Sequence, residues 1–310
     1  MMTRKRTAIF FYKLLTCFAV LFFTLNLSGS LLAQCNNDSS NGGELKILTW
    51  NIYMLPRHVI HTGQVKRAHE IADALRNEDV DIIVFEEAFD RKCRSIIWNG
   101  LKDSFPFQTG KPGRNVFWKT SGGVWIISKV PLTVVKRIYF KKSKGSDRLA
   151  CKGAMLVEAE KNNACFQLVG THLQSDLDHH DVRDVRRTQY KQIEVELLDA
   201  YRKKNIPQFV AGDFNTIKDD TVSYRQMVDI MNVSECSLKG DLCYSFDYSS
   251  NDFISNQPVK PQLIDYVFYR NGGDRKVVAQ TCVKMFRKKW NDKHKDLSDH
   301  FAVSAIISMR

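Results

Sequence analysis

Polar residues able to handle a metal ion or a proton recur where apolar runs stop. Asn51 ends Leu45-Lys46-Ile47-Leu48-Thr49-Trp50, and Glu86-Glu87 end Val80-Asp81-Ile82-Ile83-Val84-Phe85. His172 closes the run from Phe166, and Asp213 and Asn215 follow the run from Pro207 to Ala211. Asp265 lies within the run from Leu263 to Tyr269, and Asp299-His300 precedes Phe301 to Met309. If those strand ends converge, one cleft holds hard oxygen ligands, two amides and two imidazoles, with no serine or cysteine nucleophile beside a base. That inventory suits magnesium-assisted attack of water on a phosphate ester. Singly, each residue has a plainer reading. Gly212-Asp213-Phe214-Asn215 is turn-forming by composition, and His172 alone fits a hydrogen-bonded surface histidine. A carboxylate at Asp265, inside an apolar run, is costly to bury without a partner. Asp299-His300 reads as a carboxylate–imidazole pair in which the acid orients the ring and raises its basicity.

The elements that must position these residues alternate between strands and helices. Gln64 to Asn77 puts Val65, Ala68, Ile71, Ala72 and Leu75 on one helical face. Asp181 to Lys204 reads as the longest helix, with Val182, Val185, Ile193, Leu197 and Tyr201 as its buried stripe. Gly123 to Ile127 and Ala154 to Val157 are further strands, and the last strand buries Phe301, Val303, Ala305 and Ile307 by alternation. Long helices are too few for a doubly wound nucleotide fold. The expected class is therefore α+β: a four-layer α/β/β/α sandwich, with two mixed sheets packed face to face and helices outside.

The 310 residues include 46 Lys+Arg against 34 Asp+Glu, a formal charge of +12, and 44% are hydrophobic. Such a composition excludes a disordered or fibrous chain. No run after residue 34 reaches the ~20 apolar residues of a membrane span. Arg4, Lys5, Arg6 and Lys13 precede an apolar run from Leu14 to Phe23, and Leu31-Leu32-Ala33-Gln34 offers a cleavage site after Ala33. Residues 1–33 are thus expected to be a signal peptide and 34–310 one secreted catalytic domain. The alternatives are an uncleaved anchor, or a lipoprotein held at the cell surface through an acylated Cys35. Setting the leader aside removes four positive charges and leaves +8. A basic body suits nucleic acid, anionic lipid or a phosphate-bearing substrate without choosing among them. Seven cysteines remain, at 35, 93, 151, 165, 236, 243 and 282. Disulfides are expected in an exported chain, and Cys236 and Cys243 are close enough in sequence to staple a short loop. No Cys-x-x-Cys pair suggests zinc.

Taken in order, Asn51, Glu87, Gly170-Thr171-His172-Leu173, Gly212-Asp213-Phe214-Asn215, Ile264-Asp265-Tyr266 and Ser298-Asp299-His300 resemble the endonuclease–exonuclease–phosphatase superfamily. Asn51-Ile52-Tyr53-Met54-Leu55-Pro56, Glu87-Ala88-Phe89-Asp90, Ser121-Gly122-Gly123-Val124, Lys152-Gly153 and Thr171-His172-Leu173-Gln174 are similar, more narrowly, to the secreted bacterial neutral sphingomyelinases. The resemblance runs from about Leu45 to Met309. It implies a toxin-like phosphodiesterase that hydrolyses sphingomyelin at membrane surfaces to ceramide and phosphocholine and lyses cells. It also implies a monomer that uses Mg²⁺, with Mn²⁺ or Co²⁺ as substitutes, and has no nucleic-acid partner.

Carried over position by position, the resemblance makes Glu87, with Asn51 nearby, the holder of the principal ion. Asp213 and Asn215 would place the attacking water and the phosphoryl oxygens, with or without a second metal. His300, oriented by Asp299, would be the general base. His172 would stabilise charge on the phosphate or assist the leaving alkoxide, and Asp265 would orient one of the histidines. Glu86 stands where the family usually has Asn, which leaves the choice between Glu86 and Glu87 as ligand open. Members often close a disulfide across the cleft, near Cys151 here, and many carry an aromatic hairpin tip that enters the bilayer. Met285, Phe286 and Trp290, amid Lys284, Arg287, Lys288, Lys289 and Lys293, are the candidates for that contact; the plainer reading is a basic solvated loop. A secreted Mg²⁺-dependent nuclease of the same superfamily is the alternative function, and a catalytically inactive membrane-binding relative is a third.

Overall fold

The computed structural model describes residues 43–110, 119–176, 181–254 and 260–310. The expected signal peptide (1–33) and Cys35 lie outside the described residues. Strand β1 (Glu44–Asn51) explains the architecture, because it is buried on both faces. Leu45 and Ile47 point into the space between two sheets, where Ile82, Val84 and Ile126 meet Val157, Phe166, Leu168, Phe209 and Ala211. Leu48 and Trp50 point the other way and pack with Ile83, Phe85, Ala68, Ile71 and Ile97. A strand that must satisfy both faces reads as a nearly continuous apolar run rather than as clean alternation.

One sheet contains β1, β2 (Ile82–Glu86), β3 (Phe107–Gln108), β4 (Trp125–Ser128), β10 (Ser237–Leu238), β12 (Val277–Lys284) and β13 (Ala302–Met309), in the order β10-β12-β13-β1-β2-β4-β3. The other contains β5 (Leu132–Tyr139), β6 (Gly153–Lys161), β7 (Ala164–His172), β8 (Gln208–Asp213), β9 (Ser234–Glu235) and β11 (Asp265–Arg270), in the order β5-β6-β7-β8-β11-β9. Helices α1 (Gln64–Leu75) and α2 (Arg91–Leu101) cover the first sheet. Helices α3 (Arg183–Ile193) and α4 (Thr221–Met231) cover the second, where Tyr190, Ile193 and Met227 pack on Leu156, Val169 and Val210. This is the expected four-layer sandwich.

Three details differ from the sequence reading. The long helix stops being α-helical at Ile193 and continues as a π turn over Glu194–Asp199; of its expected stripe, Val182, Val185, Ile193 and Leu197 are nonetheless buried and Tyr201 is half-buried. The last strand is buried along Ala302, Val303, Ser304 and Ala305 in succession, because it lies between β1 and β12 and not at an edge. Among the described residues Cys93, Cys151, Cys236, Cys243 and Cys282 carry free thiols. Neither the short Cys236–Cys243 staple nor a bridge from Cys151 is formed.

Candidate active site

Strand register delivers the site. In the parallel pair β7/β8, His172 stands opposite Asp213, and in the antiparallel pair β8/β11, Asp213 stands opposite Asp265. In the other sheet the parallel pair β1/β2 aligns Asn51 with Glu86 and so brings Glu87 to the same end. Backbone spacing at two points requires glycine. A Cβ on Gly212 would lie 2.0 Å from the Thr171 carbonyl oxygen, so only glycine lets β8 approach β7 closely enough to set Asp213 beside His172. Gly123 has φ +75°, and a Cβ there would meet the Phe89 ring at 2.8 Å and the Glu87 Cα at 3.2 Å. Tyr53, Glu87 and Asn215 have φ between 47° and 51°, the left-handed region that costs non-glycine residues about 1–3 kcal/mol each and clusters at functional sites.

A single carboxylate oxygen is the centre. Asp213 Oδ2 accepts a hydrogen bond from Asn51 Nδ2 at 3.0 Å and lies 3.5 Å from His172 Nε2 and 3.9 Å from His300 Nε2. Glu87 Oε1 is 4.0 Å from the same His172 nitrogen. Asn215 Nδ2 donates to the Leu173 carbonyl at 3.1 Å, and its backbone N–H donates to Asp213 Oδ1 at 2.9 Å. The structure thus brings together Asn51, Glu87, His172, Asp213, Asp265 and His300, with Asn215 bracing Asp213.

One expected pairing is corrected. Asp265 Oδ2, not Asp299, sits 2.8 Å from His300 Nδ1. Asp299 Oδ1 instead accepts from the Ser298 hydroxyl at 3.1 Å. With Nδ1 donating to Asp265, the Nε2 of His300 is the nitrogen turned toward Asp213. Burial opposes charge on the His300 ring, but Asp265, by charge and hydrogen bond, and then Asp213 hold its pKa well above the ordinary value. His172 is the opposite case: burial, then Lys152 and His300, press its pKa well below the ordinary value.

Lys152 is the residue whose role the sequence reading missed. Its buried ammonium donates to Asp147 Oδ2 at 2.9 Å, to the Leu173 carbonyl at 3.0 Å and to His172 Nε2 at 3.0 Å. An ammonium has donors only, so His172 accepts at Nε2 and carries its proton on Nδ1. The positive charge beside His172 therefore belongs to Lys152. The sequence signal was the Lys152-Gly153 pair, which nothing local marks as buried.

The two adjacent acids separate by environment. Glu86 is fully buried, takes a hydrogen bond from Thr49 Oγ1 at 2.8 Å, and is raised well above the usual carboxyl range by burial and then by Asp265. Glu87 keeps 18% of its side chain exposed at the mouth. Burial and the charge of Asp299 push its carboxyl up to about 7, and burial with Asp265 pushes Asp213 up to about 6. Glu87 Oε2 is buried with no hydrogen-bond partner. An unpartnered carboxylate oxygen among crowded acids and an amide is the donor set that a hard divalent cation fits. The ligand atoms of Asp213, Asp265 and His300 also lie within 4.8 Å of one another.

The segment after β12 folds back on the body. Met285, Phe286 and Trp290 are half-buried; Phe286 packs on Trp50 at 4.8 Å between ring centroids, and Trp290 stacks on His294 and donates to the Asp296 carbonyl at 2.9 Å. Lys288 is tied to Glu70 at 2.9 Å and to Asp73 on α1. Entry of these rings into a bilayer would require them to leave those contacts.

The pattern of the Endonuclease/Exonuclease/phosphatase family matches residues 48–300. The chain belongs to that family. It is 28% identical to a sphingomyelinase C from Listeria ivanovii, over 92% of this chain and 92% of that protein. It is 30% identical to a phospholipase C from Staphylococcus aureus, over 91% and 95% of the two chains. Among solved structures, a Staphylococcus aureus beta-toxin variant with bound magnesium ions superposes with a TM-score of 0.76 at 26% identity, covering 85% of this chain and 99% of that one.

Proposed function

We propose that this family member is a secreted, Mg²⁺-dependent sphingomyelin phosphodiesterase that releases phosphocholine and leaves ceramide. The observation that carries the reading is the Asp213 Oδ2 hub. The Asn51 amide donates to this oxygen, and the Nε2 atoms of His172 and His300 stand 3.5 and 3.9 Å from it, with Asp265 fixing His300 from behind. The names of the relatives support the lipid substrate, and the leader-like residues 1–33 support export.

Glu87, Asp213 and Asn51 would hold the ion. When bound, Mg²⁺ would polarise the phosphoryl oxygens and, by its charge, lower the proton affinity of Glu87, Asp213 and His300. His300 Nε2 takes the proton of the attacking water, and Asp265 stabilises the imidazolium that results. Asp213, fixed by Asn51 and by the Asn215 backbone N–H, aligns that water. Lys152 supplies fixed positive charge where negative charge grows on the phosphoryl group, and neutral His172 places that ammonium. No side chain of the set is a nucleophile beside a base, so the reading is direct in-line displacement.

The test offers the purified protein sphingomyelin liposomes and plasmid DNA side by side, with Mg²⁺ and with chelator. Phosphocholine release that a chelator abolishes and Mg²⁺, Mn²⁺ or Co²⁺ restores is the expected result. Nicking of DNA without phosphocholine release would overturn it in favour of the nuclease alternative.

A further inference from the structure

The turn between β5 and β6 carries a concentration of positive charge that the reaction does not use. Lys119, Lys141, Lys142, Lys144 and Arg148 line an open cavity of about 640 Å³, completed by Ser143, Leu149 and Val185. Among the described residues, the acids around it are already engaged. Glu196 pairs with Lys141 at 2.7 Å, Asp181 with Arg183 at 3.1 Å, Asp184 with Arg187 at 3.1 Å and Asp147 with Lys152 at 2.9 Å. Lys119, Lys142, Lys144 and Arg148 have no carboxylate partner among the described residues. Lys144 donates to the Asp181 backbone carbonyl at 2.9 Å and Arg148 to the Ser143 carbonyl at 3.3 Å, but four cations without a carboxylate partner around one concavity repel one another and favour an anion between them.

The cavity is also held in shape. Gln174 accepts from the Lys144 N–H at 2.8 Å, and its own amide donates to the Lys144 carbonyl at 3.2 Å. Gln192 accepts from the Lys141 N–H at 3.2 Å, and Gln189 donates to the Lys142 carbonyl at 3.0 Å. Ser175 N–H donates to Asp147 at 2.8 Å. These bonds tie the turn to α3 and to the two residues that follow His172-Leu173, so the cations are presented at the end of the sheet that holds the candidate active site.

One apolar side chain says which anion. Leu149 is 62% exposed at the rim, directly after Arg148. A soluble anion or a nucleic-acid backbone gains nothing from an exposed leucine, whereas a bilayer takes it at the headgroup–acyl boundary while the cations meet the phosphates. We propose that this cavity binds the headgroup of an anionic phospholipid that is not the substrate, and so seats the active-site end of the protein on acidic membranes. The inference rests on the membrane-substrate reading above, but its test does not involve hydrolysis.

The experiment measures co-sedimentation with sphingomyelin-free vesicles of phosphatidylcholine, with and without phosphatidylserine. The wild-type chain binds the acidic vesicles more tightly, and added salt weakens that preference. Lys119→Gln, Lys142→Gln and Arg148→Gln together reduce it by about a hundredfold, at roughly fivefold per cation at a membrane surface. Leu149→Ser reduces binding to acidic vesicles and leaves binding of single-stranded DNA unchanged. A control of equal charge, Lys136→Gln with Lys204→Gln and Lys276→Gln, keeps the preference. The proposal is overturned if the first triple variant still prefers acidic vesicles, or if the control loses the preference equally. DNA binding through the same cations with no vesicle preference also overturns it. Hydrolysis of detergent-dispersed sphingomyelin is assayed separately. A chain that prefers acidic vesicles but hydrolyses nothing sinks the enzymatic reading alone.

Discussion

Asp265→Asn tests the placement of the general base. In the wild type the Asp265 carboxylate is buried and 2.8 Å from His300 Nδ1, so the ring holds its proton there and offers Nε2 as acceptor. The amide changes this. If its NH₂ turns toward Nδ1, the ring must move its proton to Nε2, and the nitrogen facing Asp213 can no longer accept. If its carbonyl turns toward Nδ1 instead, the tautomer survives but the charge that stabilises the imidazolium is gone. A general base contributes about 10²–10⁴-fold to a rate, and the lost charge-assisted hydrogen bond is worth about 1.5–3 kcal/mol, or about 10- to 150-fold. The two ranges meet at a fall in kcat of about 10²-fold. KM should stay near the wild-type value, because Asp265 lies behind His300 and away from the mouth. The assay is initial-rate phosphocholine release at saturating Mg²⁺, with thermal unfolding as a check on the fold. Asp299→Asn is the companion variant; with Asp299 bonded to Ser298, it should cost kcat much less than Asp265→Asn. A kcat within a few-fold of wild type for Asp265→Asn, or a larger loss for Asp299→Asn, would refute the assignment of Asp265 as the orienting acid.

Three other perturbations are read from stability and from substrate form. Arg67 is fully buried and donates to the carbonyls of Ile52, Tyr53, Thr62 and Leu297 and to the Thr62 hydroxyl; Arg67→Lys, with too few donors for that set, should cost about 2–4 kcal/mol in denaturant unfolding, and an unchanged midpoint would refute this. Asp90 caps α2 by accepting from the Cys93 N–H at 3.0 Å and also pairs with Arg57 at 2.9 Å. Although burial opposes it, these bonds hold its carboxyl below the ordinary value. A depressed folded pKa gives stability that is complete above the unfolded value, about pH 4, and fades as pH falls through the folded one. Asp90→Ala should therefore lose about 1–2 kcal/mol at neutral pH and Asp90→Asn much less, with both unfolding profiles flatter than wild type in the acid range; parallel profiles would count against it. Phe286→Ala with Trp290→Ala decides what the segment after β12 does. The packing predicts a loss of stability and equal losses on vesicle and detergent-dispersed substrate, whereas a loss confined to vesicles would assign these rings to the bilayer.

The sequence was legible where polar residues end apolar strands, because a strand end is a local signal. Asn51, Glu87, His172, Asp213 and His300 could all be marked without knowing how the strands pair. The Asp265–His300 contact was not legible in the same way: the two residues are 35 positions apart, while Asp299 adjoins His300 and looks like its natural partner. The chain bends through 297–300 ahead of β13 and leaves Asp299 on the Ser298 hydroxyl, so adjacency argued for the wrong acid. Helix α2 was passed over although Asp90 is a cap residue and Cys93, Ile97 and Leu101 recur every fourth position, because Arg91, Lys92, Arg94 and the intervening Ser95 dilute the apolar signal. Strand β12 alternates as Val277, Ala279, Thr281 and Val283 inward, but threonine and alanine are weak markers of burial. Lys152 was invisible as a buried cation, since its burial comes from the turn that carries Asp147 and from β7, not from its own strand.

Register links the chemistry to the core more tightly than the residue list suggests. On β8 the same period of two that sends Phe209 and Ala211 between the sheets sends Asp213 to His172 and Asp265. A slip of one residue against β7 would replace Asp213 by Phe214 or Gly212 opposite His172, and would also turn the buried side chains of β8 to the opposite face. All six residues of β8 are buried, so the misplaced site is excluded by the cost of repacking two buried faces at once, and the acids need not favour one another to meet. Left to themselves they would not, since burial and then the charge of Asp265 raise Glu86 and Asp213 above the usual carboxyl range, and Thr49, His300, Lys152 and the amide of Asn51 relieve them only in part. The core thus holds the carboxylates in an arrangement that their mutual repulsion opposes, which is the condition under which a divalent cation gains most by binding there.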